Sequence, residues 1–325
     1  GGGDKWVPES GSKLSSEDQH RVKQLQDAYE SVPLAVKSKV GAWRIKESEV
    51  TLGTMLGQGM VGVIYRAKWR GSNVAAKRLR DGYEKDTVEW KDLIAEITIL
   101  SVLRHPNLVQ FLGASVAMER SNKREAPMII YELMGGGSLE DLFRNQTAKM
   151  GNWKPTRAQA WTWGRDLFRA LCCLHQSKPP LLHRDLKPAN LLLTSDFRTM
   201  KVGDFGLCKA LKHGNQQMTG DTGTKRYMAP EVHRNDTIYS VKADIYSGAL
   251  ILWLMNTGGV PYSDCVVNSI GQKVSLEHHR PPVKNIQWAE FRDIIVRGWA
   301  PLAMDRPEAS EILEQLDNLP GKPTE

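Results

Sequence analysis

The sequence predicts an α+β fold with a small strand-rich lobe followed by a larger, mainly helical lobe. Two observations support this division. The runs VGVIYRAKW and NVAAKRL have the β-branched, alternating residues of strands. After Ser138, apolar residues recur at helical spacing, most clearly in residues 157–176. The stretch GGGS at residues 135–138 lies at the changeover, either as a plain turn or as a hinge between the lobes.

The segments follow one another in a simple order. Residues 1–42 predict a flexible start and one helix near 15–32, whose narrow apolar stripe must pack on the main domain or on a partner. Residues 43–134 form the strand-rich lobe with one helix near 87–103, residues 135–318 the helical lobe, and residues 319–325 a tail. The longest apolar run, IYSGALILWLM, has 11 residues, so it predicts a buried helix and no membrane span, which needs about 20.

Composition bounds the classes of function. The 325 residues are 41% hydrophobic and 25% charged, with a formal net charge of +7. This basic excess suits phosphate ligands or acidic partners, but no nucleic-acid motif accompanies it, so we expect no nucleic-acid partner. The four cysteines have the spacing of neither a zinc site nor a disulfide framework, which predicts reduced thiols and a cytoplasmic location.

A glycine motif opens the strand-rich lobe. Gly57, Gly59 and Gly62 in GQGMVGV give the pattern G-x-G-x-x-G-x-V. A strand follows, whereas a dinucleotide-binding βαβ unit needs a helix there. The motif is therefore a tight turn or a strand–turn–strand flap whose bare backbone lies over phosphates.

Lys77 in the predicted strand VAAK is the next candidate. It is either an edge-strand surface lysine or a group that reaches nucleotide phosphates. Glu96 follows 19 residues later and shares a predicted helix face with Leu93 and Leu100. A glutamate on an apolar face needs a partner, and Lys77 is a candidate, although a glutamate at the edge of the stripe could also reach water.

The stretch LLHRDLKPANLLL places charged residues between leucine-rich ends, so these groups need partners or a ligand. It contains Asp185, Lys187 and Asn190, and Asp204 follows in the glycine-bounded turn KVGDFG. A single Asp in a turn is usually a local cap. Two acids and an amide at this spacing, after a glycine flap and a strand lysine, indicate instead a magnesium nucleotide site.

The chain resembles protein kinases. The motifs GQGMVGV, VAAK, HRDLKPAN, DFG and APE occur in the expected order over about residues 50–316. The resemblance implies a bilobal protein kinase fold that binds ATP and Mg²⁺, with a β-rich N-lobe and a helical C-lobe.

The resemblance also implies roles for individual residues. Asp185 would be the catalytic base, Lys187 would steady the transferring group, and Lys77 would hold phosphates while paired with Glu96. Asn190 and Asp204 would bind the metal. The nucleotide would be bound by Gly57, Gly59, Gly62, Val63, Ala75, Lys77, Glu132, Met134 and Leu192.

Further family positions follow. Glu132 and Met134 would lie on the hinge, and Tyr131 would be the gatekeeper, bulky enough to close a pocket behind the adenine. Phe205, His183 and Leu100 would form an apolar stack between the lobes. Three others would be structural: Glu231 and Arg306 as a buried ion pair, and Asp244 as the support of the catalytic loop.

The catalytic loop resembles serine/threonine enzymes, because Lys187 follows Asp185 by two residues and Thr224 lies in GTKRYMAPE. Segments such as WRIKESEVTLG and HPNLVQFLG resemble the tyrosine-kinase-like group, which includes Raf-like and mixed-lineage MAP kinase kinase kinases. The implied partner is a protein substrate, such as a downstream kinase. A kinase-domain dimer is one role left open for the N-terminal helix.

Regulation is expected in the segment between DFG and APE. Phosphate on Thr219 or Thr222 would recruit Arg184, Lys209 and Lys225 and order the loop, unless these are ordinary loop threonines. Two other functions fit the sequence less well. A nucleotide-binding pseudokinase scaffold conflicts with the complete set of catalytic residues, and a small-molecule kinase conflicts with the APE segment.

Overall fold

The computed structural model describes residues 43–58, 62–79, 97–115, 127–204, 209–210, 224–236 and 240–320. Its strands are β1 (Val50–Gln58), β2 (Gly62–Trp69), β3 (Ser72–Leu79), β4 (Phe111–Ser115), β5 (Met128–Glu132), β6 (Gly137–Ser138), β7 (Leu181–Leu182), β8 (Leu191–Leu193), β9 (Met200–Val202) and β10 (Lys209–Ala210).

Residues 97–102 are helical and are called α1. The later helices are α2 (Leu139–Met150), α3 (Arg157–His175), α4 (Pro230–His233), α5 (Lys242–Thr257), α6 (Ile270–Ser275), α7 (Ala289–Gly298) and α8 (Ala309–Asp317). Single 3-10 turns cover Glu47–Glu49, Pro188–Asn190, Thr224–Tyr227, Val267–Ser269, Val283–Asn285 and Ala303–Asp305. The predicted helix at 15–32 lies outside the described residues.

The first five strands form one antiparallel sheet in the order β1-β2-β3-β5-β4. Arg70 and Gly71, both with positive φ, make the two-residue turn between β2 and β3. Such a turn matches the twist of the flanking strands. One sheet face buries a small cluster around Val74 and Ala76. On β3 the alternate residues Ala75, Lys77 and Leu79 share the opposite face, and Leu79 joins the main core with α1.

The helical lobe is built around α3 and α5. Thr156 caps α3 by accepting from the Gln159 N–H, and Gln159 bonds back to the cap. The predicted apolar stripe of α3 is fully buried at Trp163, Leu167 and Leu171. Helix α5 is buried on all sides from Ala243 to Asn256, which confirms the prediction of a core helix. No helix in the described residues is long and apolar enough to cross a membrane.

The changeover at residues 135–138 is a turn that leads directly into α2. Gly137 has a φ of 72°, and Ser138 accepts from the Asp141 N–H as the cap of α2. Glu231 and Arg306 form the predicted buried ion pair, with two bonds of 2.7 and 2.8 Å. This pair ties α4 to the segment before α8.

Candidate active site

Lys77 connects the two lobes. Its side chain is largely buried on β3, and its Nζ donates to Asp204 Oδ1 at 3.0 Å. Asp204 follows β9 by two residues, so this ion pair joins the N-lobe sheet to the C-lobe. The predicted partner Glu96 lies outside the described residues.

The predicted catalytic loop brings three polar side chains together. Asn190 Nδ2 donates to the Asp185 carbonyl at 2.7 Å and to Asp185 Oδ2 at 3.0 Å. Lys187 Nζ lies 2.9 Å from the same Oδ2. The turn Pro188–Asn190 makes this possible, because it folds the chain back so that Asn190 returns to Asp185. Oxygen Oδ1 of Asp185 is buried and has no hydrogen-bond partner among the described residues.

Asp244, at the start of α5, accepts hydrogen bonds from the backbone of the predicted catalytic loop. Its Oδ2 accepts from the His183 N–H at 2.9 Å, and its Oδ1 accepts from the Arg184 N–H at 3.0 Å. These bonds stabilise Arg184 with a φ of 70°, a conformation that is costly for a residue with a side chain. The predicted support by Asp244 is confirmed. His175, which the sequence did not indicate, adds a contact of 3.0 Å to Oδ2.

Two further bonds fix the position of Asp204 relative to this loop. His183, fully buried, has Nε2 2.9 Å from the Gly203 carbonyl. The Gly203 N–H donates to the Asn190 carbonyl at 2.9 Å. Asp204 itself has a φ of 54°, which turns the chain at the end of the strand segment. The acidic residues of both motifs are therefore held by one continuous network.

The surroundings of the acids set their charge. Desolvation acts to raise the pKa of Asp204, but the Lys77 ammonium outweighs it, and the net pKa lies below its ordinary value. Burial likewise acts to raise the pKa of Asp244, and the hydrogen bond from His175 and the nearby His183 lower it to a net value below the ordinary one. Both groups are therefore carboxylates at neutral pH.

The predicted adenine-binding residues lie around the cleft between the lobes. Val63 on β2, Ala75 on β3 and Leu192 on β8 are all half-buried. Glu132 ends β5, and its N–H donates to the Gln110 carbonyl at 2.9 Å. The Met134 N–H has no hydrogen bond among the described residues. Of the two predicted hinge residues, Met134 is therefore the one whose N–H can donate to a ligand.

The predicted gatekeeper Tyr131 packs edge-on against Phe111, with ring centroids 6.4 Å apart. Tyr131 is also packed against the main hydrophobic core.

Gly57 and Gly62 of the predicted flap differ in the space around their backbones. A Cβ on Gly62 would lie 2.3 Å from the Arg78 carbonyl, so close strand pairing excludes any side chain there. A Cβ on Gly57 would meet no atom within 4 Å, so Gly57 leaves open space next to its backbone. The other glycine, Gly59, lies outside the described residues.

Several predicted residues are not placed. Glu96, Gly59, Phe205, Thr219 and Thr222 all lie outside the described residues. Of the proposed regulatory set, Arg184 is half-buried next to Asp185, and the backbone of Lys209 pairs with that of Leu182.

The structure adds contacts of Glu132 that sequence reasoning missed. Glu132 accepts Lys201 Nζ at 2.7 and 2.8 Å with its two carboxylate oxygens. The two residues are 69 positions apart, so no local pattern could have revealed the pair. Gln110 adds its N–H to Glu132 Oε1 at 2.7 Å.

Comparisons with known proteins agree with this geometry. The model of the protein kinase domain family matches residues 50–316. The chain is 36% identical over 285 residues to the Arabidopsis thaliana serine/threonine-protein kinase VIK, covering 85% of this chain and 62% of the relative. It is 33% identical over 290 residues to a seven transmembrane domain-containing tyrosine-protein kinase of Dictyostelium discoideum, covering 87% of this chain and 40% of that protein.

A probable serine/threonine-protein kinase of the same organism is 33% identical over 278 residues, covering 85% of this chain and 28% of that protein. The chain thus spans less than two thirds of the length of these relatives. The family model covers most of the chain, and its boundaries coincide with β1 and α8. This chain belongs to the protein kinase domain family.

Proposed function

We propose that this protein kinase transfers the γ-phosphoryl group of Mg–ATP to serine or threonine hydroxyls of a protein. One observation carries the proposal: Lys77, Asp204, Asp185, Lys187 and Asn190 lie in a connected set of ion pairs and hydrogen bonds. Such a set has positive and negative groups where phosphates and a cation need them.

The donor set fits a magnesium nucleotide. Asn190 uses Nδ2 for Asp185, which leaves its Oδ1 as a possible metal ligand. Asp204 is half exposed, and the hydrogen bond from Lys77 Nζ is to its Oδ1. Mg²⁺ prefers such oxygen ligands and keeps substrate phosphates in its shell. Asn190 and Asp204 would therefore hold the metal, while Lys77 would bind the α- and β-phosphates.

The chain's own residues provide positioning and charge. Bound Mg–ATP supplies the γ-phosphoryl group and the cation that neutralises its oxygens. Asp185 Oδ1 has no hydrogen-bond partner among the described residues, so it can accept the proton of an acceptor hydroxyl. Lys187 contacts the other carboxylate oxygen and can follow the negative charge that develops on the transferring group.

The acceptor class rests on the loop sequence and on the relatives. Lys187 two residues after Asp185, with Thr224 before the APE motif, is typical of serine/threonine kinases. Two of the three relatives described above are named serine/threonine-protein kinases. These features favour Ser/Thr over Tyr acceptors.

The resemblance to the tyrosine-kinase-like group supports a cytoplasmic signalling role like that of MAP kinase kinase kinases, with a downstream kinase as protein substrate. Phosphate on Thr219 or Thr222 would add about two negative charges, for which Arg184 and Lys225 are the proposed cationic partners. We expect this to order the loop and raise activity.

The test is phosphoryl transfer by the purified chain. The parent, Asp185→Asn and the exposed-site control Asp236→Asn are incubated with Mg–ATP and a generic protein acceptor, and new phosphates are mapped by mass spectrometry. We expect phosphoserine and phosphothreonine with the parent and the control, and a kcat lower by about 10²–10⁴-fold for Asp185→Asn with its melting temperature retained.

Three outcomes would contradict parts of the proposal. ATP binding without transfer by the parent would favour the pseudokinase scaffold. Phosphotyrosine alone would overturn the acceptor class. Unchanged activity after replacing both Thr219 and Thr222 by Ala would exclude control through these threonines.

A further inference from the structure

A second cluster of reactive side chains lies away from the nucleotide cleft. Asp264 and Cys265 belong to the connection between α5 and α6, and His279 follows the end of α6. One ligand atom of each residue lies within 4.8 Å of the other two. Among the described residues, this is the one group of at least three His, Cys, Asp or Glu side chains that could hold a metal ion.

The separations in this cluster are compatible with a small cation. Cys265 Sγ lies 3.6 Å from Asp264 Oδ1, and His279 Nε2 lies 3.3 Å from Asp264 Oδ2. In a tetrahedral zinc site, ligand atoms lie about 3.3–3.6 Å apart, because the bonds are about 2.3 Å to sulfur and about 2.0–2.1 Å to nitrogen and oxygen. The two separations run to different oxygens of the Asp264 carboxylate, so an ion bound by one of them needs a small adjustment of that exposed side chain.

The His279 imidazole is held in place, but its buried Nε2 lacks a hydrogen bond among the described residues. The His279 N–H donates to the Lys273 carbonyl at 3.0 Å, and its ring packs on Tyr262 at 5.9 Å between centroids. A buried ring nitrogen close to both a carboxylate and a thiol can bind a cation held by the three side chains.

The thiol is also held in place. Cys265 is 6% exposed, and its N–H donates to the Tyr262 carbonyl at 3.1 Å. Cys265 would bind a metal ion as the thiolate, so binding would release its proton. The Asp264 side chain is 62% exposed and gives the ion a path from solvent.

We propose that Asp264, Cys265 and His279 bind one Zn²⁺ ion, with water in the fourth position. Thiolate, imidazole and carboxylate together are a ligand set of zinc, whereas Mg²⁺ requires oxygen ligands. The site is thus distinct from the proposed nucleotide metal. The sequence did not predict it, because Cys265 is far from the other cysteines and its partner His279 comes close only in the fold.

The ion would stabilise the loop that contacts the residues just before the APE segment. Arg226, just before that segment, donates to the carbonyls of Pro261 and Tyr262 at 3.0 and 2.6 Å. The Tyr262 hydroxyl in turn lies 2.7 Å from that of Tyr246 on α5. Zinc would therefore link the loop that supports Arg226 to the segment after α6, and binding should stabilise the fold.

The experiment is a metal titration of the full chain after removal of bound metal. Zn²⁺ affinity is measured against a chromophoric chelator, and Co²⁺ is used as a spectroscopic probe of thiolate ligation. The variants are Cys265→Ser, His279→Gln and Asp264→Asn. The matched controls are Cys173→Ser, another free cysteine, and His278→Gln, the exposed neighbour of His279.

We expect one equivalent of Zn²⁺, a thiolate-to-cobalt absorption band and a raised melting temperature in the parent and both controls. Loss of an outer partner alone usually weakens metal binding by about 10–100-fold, so loss of a ligand should cost at least about 100-fold. Asp264 is largely exposed, so Asp264→Asn will fold and should weaken binding even if a core variant unfolds. Equal affinity in the parent and Asp264→Asn, or no cobalt–thiolate band in the parent, would overturn the proposal.

Discussion

Glu132 and Lys201 form a two-point ion pair between the lobes, with Lys201 Nζ 2.7 and 2.8 Å from the two carboxylate oxygens. Glu132 ends β5 next to the hinge, and Lys201 lies on β9 opposite Leu192. The side chains are 28% and 18% exposed, so water screens the pair only in part. Because β9 leads directly to Asp204, the pair couples the hinge to the predicted metal ligand.

We predict that Lys201→Met raises the KM for ATP several-fold with little change in the fold. A double-mutant cycle with Glu132→Gln should give a coupling energy of about 1 kcal/mol in the free energy of unfolding. The control is the surface pair Arg144–Asp141, for which the coupling should be near zero. Equal coupling energies for the two pairs would contradict a bracing role.

The carboxylate of Asp244 should contribute to acid stability. Its pKa is lowered in the folded state, so the stabilisation is complete above the unfolded value of about 3.9 and is lost as the pH falls through the folded pKa. Asp244→Asn should reduce the free energy of unfolding at pH 7 by about 2–3 kcal/mol, because a charged acceptor of buried hydrogen bonds is lost.

Urea unfolding from pH 7 to pH 2 measures both effects. Stability of the parent should decrease toward low pH more steeply than stability of Asp244→Asn. The exposed Asp236→Asn variant serves as control and should follow the parent. Parallel profiles for the parent and Asp244→Asn would show that this carboxylate is not linked to acid unfolding.

Removing one partner of the Glu231–Arg306 ion pair should strongly lower the free energy of unfolding. Arg306→Met leaves Glu231 as a buried, unpaired carboxylate and should destabilise the protein by about 3–5 kcal/mol. Replacing both residues with apolar ones should cost less than Arg306→Met alone, because no buried charge remains. Chemical denaturation is the measurement, and Arg234→Met in an exposed pair should change stability by less than about 0.5 kcal/mol. A double variant less stable than Arg306→Met would contradict this.

Tyr131→Ala should open space behind the hinge. The ring packs on Phe111, so its removal should cost about 2–3 kcal/mol of stability and leave a cavity. ATP analogues with a bulky group on the adenine amine should then bind, while the parent and Tyr131→Phe, which keeps the ring, should reject them. Competition binding measures this, and analogue binding by Tyr131→Phe as well would mean that the ring does not limit the pocket.

Part of this protein could be predicted from sequence because the signals are local. Periodicity identified α3, and an apolar run too short to span a membrane identified the buried α5. Motif spacing identified the charged groups that the network around Asp185 and Asp204 brings together. The pairing of Glu231 with Arg306 also followed from the family resemblance.

What the sequence by itself determined was the type of each element and the identity of the charged groups, since side-chain period and spacing are properties of neighbouring residues. Only the tertiary structure decided which groups meet. Lys201 reaches Glu132, and His279 reaches Cys265, because strands and loops distant in sequence pack side by side. The free energy of such contacts depends on distances of a few ångströms, which no local pattern contains.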